Sequence, residues 1–204
     1  IIGLGISGLA LGNTKVGVFL DKGATVNIIG GTTPQQRNII SQNLAGISIL
    51  GDRNTVQGNY IGTDIQGLET RGNNTIGVLI EGDNNTIGGV QLDAFNLMGG
   101  NLISGNILGA GVEIANPARG NTIKGNFIGN NKDGSSTLGN QDGIVILNAQ
   151  NNTIGGETLV AGFSPGNLIS GNARHGIFIA GADASGNRVL GNVIGLDNFG
   201  FPGG

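Results

Sequence analysis

The chain has no cysteine, no tryptophan and a single histidine, and only 11% of its 204 residues are charged. Without cysteine there is no disulfide framework, so packing and hydrogen bonding must hold the fold together. Ten Lys and Arg against thirteen Asp and Glu give a net charge of -3, which argues against a basic nucleic-acid groove. No run reaches 18 apolar residues, so no membrane-spanning helix is expected. No apolar pattern of helical period is sustained, which excludes long amphipathic helices.

What the chain has is glycine, 42 of them, arranged in a repeat. Gly-apolar-x-apolar recurs at Gly17, Gly46, Gly77, Gly111, Gly143 and Gly176, at intervals of 29 to 34 residues. A period of that length is the mark of a solenoid. Two asparagine triplets keep step with it. One begins at Asn27, Asn54, Asn85, Asn121, Asn152 and Asn187, and the other at Asn38, Asn59, Asn101, Asn126, Asn167 and Asn192. Stacked identical amides can hydrogen-bond along the axis and satisfy turn backbone groups, so both columns are expected to be structural.

Each unit reads as three short strands joined by turns. Alternation sends pairs such as Val112 and Ile114 inward and Glu113 outward. The second strand adds one inward aliphatic per unit (Ile123, for example) and the third another (Ile128). The expected fold is therefore all-β: one single-stranded parallel β-helix domain over residues 1–204, about six rungs of three strands. Insertions alternate. Units starting at Gly17, Gly77 and Gly143 carry one after the second strand (32–37, 90–100, 157–166), and the other three carry one after the third. The superrepeat is two rungs.

The strings Asn-Thr-Ile-Gly-Gly at 85–89 and 152–156, Asn-Leu-Ile-Ser-Gly-Asn at 101–106 and 167–172, and Gly-Asn-Tyr-Ile-Gly-Thr-Asp at 58–64 carry a resemblance. They are similar to the right-handed parallel β-helix repeats of large bacterial secreted and surface proteins in the pectin-lyase-like superfamily. The resemblance implies that fold, its right-handedness and an extracellular or cell-surface location. In such proteins these motifs mark rungs and turns, so function does not follow from them.

Residues that could carry chemistry are few. Asp21, Asp52 and Asp83 fall in the turn after the first strand, and at about 4.8 Å between rungs they form a candidate calcium site, with Lys22 and Arg53 adjacent. Asp64, Asp133 and Asp197 recur in loops after the third strand, where an Asx turn explains them. His175, next to Arg174, reads as a turn residue for which the sequence places no partner. Thr55, Thr86, Thr122 and Thr153 form one outward file that strand propensity explains. Asn73, Asn84 and Asn151 sit in sequons to which no function is attached. No catalytic constellation or cofactor emerges, which argues against an enzyme.

Two outward positions are apolar. One stripe is Phe19, Ser48, Leu79, Glu113, Val145 and Phe178; the other is Ile39, Tyr60, Leu102, Phe127, Leu168 and Val193. Both need covers, for which Leu92, Phe95, Leu97, Met98, Leu159, Val160 and Phe163 in the insertions are the candidates, or else they mark lateral contacts. The two ends share the same phase of the superrepeat and neither carries a polar cap, as expected either of part of a longer repeat array or of subunits that stack end to end. The expected function is a structural, self-associating extracellular protein stacking through its ends or side by side. The alternatives are a polysaccharide-binding or adhesive surface module, and a polysaccharide lyase or hydrolase.

Overall fold

The computed structural model describes residues 1–90, 99–159, 161, 164–197 and 200. Among them, eighteen strands numbered in chain order form three parallel sheets of six. The first sheet holds β1 (Val16–Leu20), β4 (Ala45–Ile49), β7 (Ile76–Ile80), β10 (Ala110–Ala115), β13 (Asp142–Leu147) and β16 (Ile177–Ala180). The second holds β2 (Ile28–Gly30), β5 (Thr55–Gln57), β8 (Thr86–Gly88), β11 (Thr122–Lys124), β14 (Thr153–Gly155) and β17 (Arg188–Leu190). The third holds β3 (Ile39–Ile40), β6 (Tyr60–Ile61), β9 (Leu102–Ile103), β12 (Phe127–Ile128), β15 (Leu168–Ile169) and β18 (Val193–Ile194). Each strand pairs with its counterpart one rung away, as the repeat requires, and the chain is a six-rung parallel β-helix.

The register stacks like on like. Val78, Val112 and Ile144 face one another across the first sheet, as do Ile87, Ile123 and Ile154 across the second. These and the third-sheet isoleucines form one buried cluster running along the axis. With no cysteine and little charge, that aliphatic column is the main source of stability, at roughly 1.5 to 3 kcal/mol for each fully buried side chain before entropy. Short strands suit it, because each rung must turn three corners. Glycine is required where a corner meets the next rung: Gly129 has φ of 92° and a Cβ there would lie 2.2 Å from the Ser170 carbonyl oxygen.

Every second turn after the third sheet is a small hairpin, closed by the bridges Leu4–Ala10, Thr63–Thr70 and Asn130–Thr137. These hairpins fold back over the outer face of the third sheet. A Cβ on Gly67 would come within 2.8 Å of Tyr60 and 2.9 Å of Leu102, so the turn lies directly on them. The Lys132 N–H donates to the Gly67 carbonyl at 2.9 Å, joining one hairpin to the next. Beneath them Leu4, Ile39, Tyr60, Leu102, Phe127 and Leu168 make a second buried cluster, against which Val193 packs. The Arg37 guanidinium sits 4.0 Å from the Tyr60 ring centroid and closes one side.

The expectation that insertions cover an outer stripe is thus met on one face, but by different insertions from those expected. Leu159 is fully exposed, and Leu92, Phe95, Leu97, Met98, Val160 and Phe163 lie outside the described residues. A second correction concerns the loop aspartates. Asp64 Oδ1 accepts from Leu68 N–H at 2.7 Å and Glu69 N–H at 3.0 Å. In the next hairpin Asn131 takes that position, accepting from Ser135 N–H at 3.0 Å and Ser136 N–H at 3.3 Å. Asp133 falls two residues later and instead contacts Lys132. The shared feature is an Asx turn that an Asn serves as well as an Asp.

Candidate functional sites

The asparagine columns form continuous ladders, and there are three of them. In the first, the backbone N–H of Asn27, Asn54, Asn85, Asn121 and Asn152 donates to Oδ1 of the asparagine one rung on, ending at Asn187, over 2.7 to 2.9 Å. The second repeats this from Asn38 to Asn192 at 3.0 to 3.1 Å. The third, unforeseen, runs through Asn13, Asn43, Asn73, Asn106, Asn140 and Asn172 at the corner before the first sheet, also at 3.0 to 3.1 Å. The amide Nδ2 groups complete the arrangement by donating to turn carbonyls, as Asn126 does to Ile87 and Lys124. Asn73, one of the sequon asparagines, is buried inside this third ladder.

All three ladders point the same way. Donors face the C-terminal side of each rung and acceptors the N-terminal side. Consequently Oδ1 of Asn13, Asn27 and Asn38 receives no donor among the described residues, and the backbone N–H groups of Asn172, Asn187 and Asn192 meet no acceptor there. The edge formed by β16, β17 and β18 also leaves core side chains open: Ile179, Val189 and Ile194 are each about 40 to 47% exposed.

The structure does not gather Asp21, Asp52 and Asp83 into one cluster. Leu20 pairs with Ile49, so Asp21 directly follows a paired residue, whereas Asp52 and Asp83 stand three residues beyond theirs. Asp52 Oδ1 accepts from Asp83 N–H at 2.8 Å, and Asp83 in turn accepts from Arg119 N–H at 2.9 Å and lies 3.3 Å from its Nε. Asp21 binds the N–H of Lys22. Among the described residues no group of three or more His, Cys, Asp or Glu side chains could hold a metal ion. Thr55, Thr86, Thr122 and Thr153 do align in one file. The positions two residues on, Gln57, Gly88, Lys124 and Gly155, give no second one.

The outer face of the first sheet differs from that of the third. Phe19, Ser48, Leu79, Glu113, Val145 and Phe178 are in register, and over their C-terminal half runs an open groove of about 440 Å³. Its floor is Leu79, Glu113, Val145 and Phe178, and Leu108 and Arg174 stand at its sides. Phe178 is 38% exposed and Leu108 68%. Burial between apolar neighbours pushes the Glu113 carboxyl above its ordinary pKa, and the negative charge of Glu81 adds to this. The carboxylate of Glu113 has no hydrogen-bond or ion-pair partner among the described residues.

His175 does have a partner. Its Nδ1 lies 2.6 Å from Oδ1 of Asp142, its backbone N–H donates to the same oxygen at 3.2 Å, and Arg174 reaches Oδ2 at 3.6 Å. Asp142 is buried, and the imidazole stacks on Phe178 with ring centroids 5.0 Å apart. The signal was in the spacing: Asp142 precedes Gly143 as His175 precedes Gly176, so the repeat itself sets them on adjacent rungs. Three contacts commit Asp142 to fastening rung six onto rung five. Glu113 is the carboxylate left open to a ligand.

No protein-family model matches this chain, and no curated protein or solved structure matches it.

Proposed function

We propose that this chain is a structural, self-associating β-helix of the cell exterior, in which copies stack head to tail. The observation that supports the reading is the common polarity of the three ladders. Donors on the edge of β16, β17 and β18 complement the Oδ1 acceptors of Asn13, Asn27 and Asn38, while head-to-head contact sets acceptor against acceptor. The exposed Ile179, Val189 and Ile194 would be buried by the same contact, and unpaired strand edges recruit further strands. Heterologous contacts of this kind propagate into a filament rather than close into a dimer. Ile2 bridges to Ile40 on the outer edge of β3, so the segment around Ile2 must move aside for an incoming third-sheet strand. The extracellular setting rests on the motif resemblance to surface β-helices. Sedimentation velocity over a concentration series tests the stacking. The wild type should grow with concentration, while Val189→Lys with Ile194→Lys should stay monomeric and folded. Concentration-independent monomers of the wild type contradict the proposal.

A further inference from the structure

We propose that the groove on the first sheet is a saccharide site selective for amino sugars over acidic ones, independent of whether the ends stack. Three observations converge on it. The floor is largely apolar: Leu79, Val145 and Phe178 occupy three of four successive rungs about 4.8 Å apart, with Glu113 on the rung between Leu79 and Val145, and Phe178 is the most open of the three. Such a surface suits the C–H face of a pyranose ring. The groove lies on a sheet face, where the backbone N–H and C=O groups are spent in the parallel ladder. A peptide laid there finds no main-chain partners for its own amides. A sugar ring needs none, and its hydroxyls can reach the polar side chains Thr75, Gln141 and Arg174 at the margin.

Charge sets the selectivity. The side chain of Glu113 projects from the middle of that floor without a partner, and Glu81 stands near enough to raise its pKa further. The cation beside the groove, Arg174, already faces Asp142. A uronate carboxylate laid over this floor meets Glu113 and Glu81 with like charge. An ammonium group instead supplies the missing partner in a partly desolvated place, where charge-assisted hydrogen bonds are strongest. Neutral sugars fall between, donating hydroxyls to the carboxylate. The order of affinity is therefore amino, neutral, acidic.

Isothermal titration calorimetry at pH 6 with three probes tests this: a glucosamine hexamer, an N-acetylglucosamine hexamer and a galacturonate hexamer. The glucosamine oligomer should bind saturably and the galacturonate oligomer should not. Glu113→Gln, which removes a half-buried, unpaired charge and so preserves the fold, should weaken glucosamine binding about tenfold or more. Phe178→Lys, which sets a cation on the exposed end of the floor, should abolish it, with circular dichroism reporting intact β structure for both variants. Equal binding of the acidic oligomer, binding unchanged in Glu113→Gln, or no binding of any probe would each overturn the proposal.

Discussion

The first and third sheets begin from the same prescription and end differently. Each presents an apolar outward stripe, Leu79 and Val145 on one, Leu102 and Phe127 on the other. On the third sheet a hairpin on every second rung lies over that stripe, and Leu102 is completely buried. The hairpin turn rests on Tyr60 and Leu102 together, so one hairpin shelters two rungs. That explains a two-rung superrepeat in a fold whose structural unit is one rung. On the first sheet no such cover is seen among the described residues; flanking side chains bury Val145, but Phe19 and Phe178 at the two ends stay exposed and the stripe becomes a groove. Whether an outward apolar residue is core or surface is decided by a turn elsewhere in the repeat.

The contrast can be broken most sharply at its centre. Leu102→Ala empties a fully buried site and should cost about 2 to 5 kcal/mol. Leu79→Ala, at a partly buried position on the outer face of the first sheet, should cost less, about 1 to 2 kcal/mol. Chemical denaturation of both variants measures the difference. Equal losses would mean that the first sheet is covered as well.

A smaller effect separates two glycines of equivalent backbone. Gly67 and Gly8 both sit in hairpins with φ of 69° and 81°, but a Cβ on Gly8 meets nothing within 4 Å. Alanine at either position pays the left-handed strain of about 1 to 2 kcal/mol. Gly67→Ala alone also collides with the covered stripe, adding about 1 to 3 kcal/mol. Comparing the two melting curves isolates the hairpin's contact with the sheet from its backbone conformation.

The smallest effect is electrostatic and lies on the uncovered face. Glu113 has a folded pKa raised above its unfolded value, chiefly by burial. Its stabilising contribution is therefore complete below the unfolded glutamate pKa and is lost as pH rises through the raised folded value. Wild type should lose stability over that window relative to Glu113→Gln, and the variant should be at least as stable at pH 7. Thermal melts from pH 4 to 7 measure it. A variant less stable at pH 7 would show that the carboxylate has a favourable partner.

Where the sequence was legible, the reason was spacing. Strands, inward residues and two asparagine ladders recur at nearly constant offsets, and parallel pairing between rungs preserves them. The third ladder has no constant offset, because Asn13, Asn43, Asn73, Asn106, Asn140 and Asn172 lie three to five residues before the first-strand glycine. Some of them follow a hairpin and some a direct turn. Asp142 and His175 shared an offset but not a residue type, so no motif announced them. The aspartate column falls out of register for the opposite reason. Asp21 shares a residue type with Asp52 and Asp83 while its turn is two residues longer. The folding back of the hairpins was not legible, since nothing in Gly67 itself states what it lies against.

Head-to-tail continuation of the ladders is tested most directly by electron microscopy of the purified chain at micromolar concentration. The account predicts polar filaments with an axial repeat near six rungs, about 29 Å. Short discrete rods at every concentration, or symmetric pairs joined like end to like end, would contradict it.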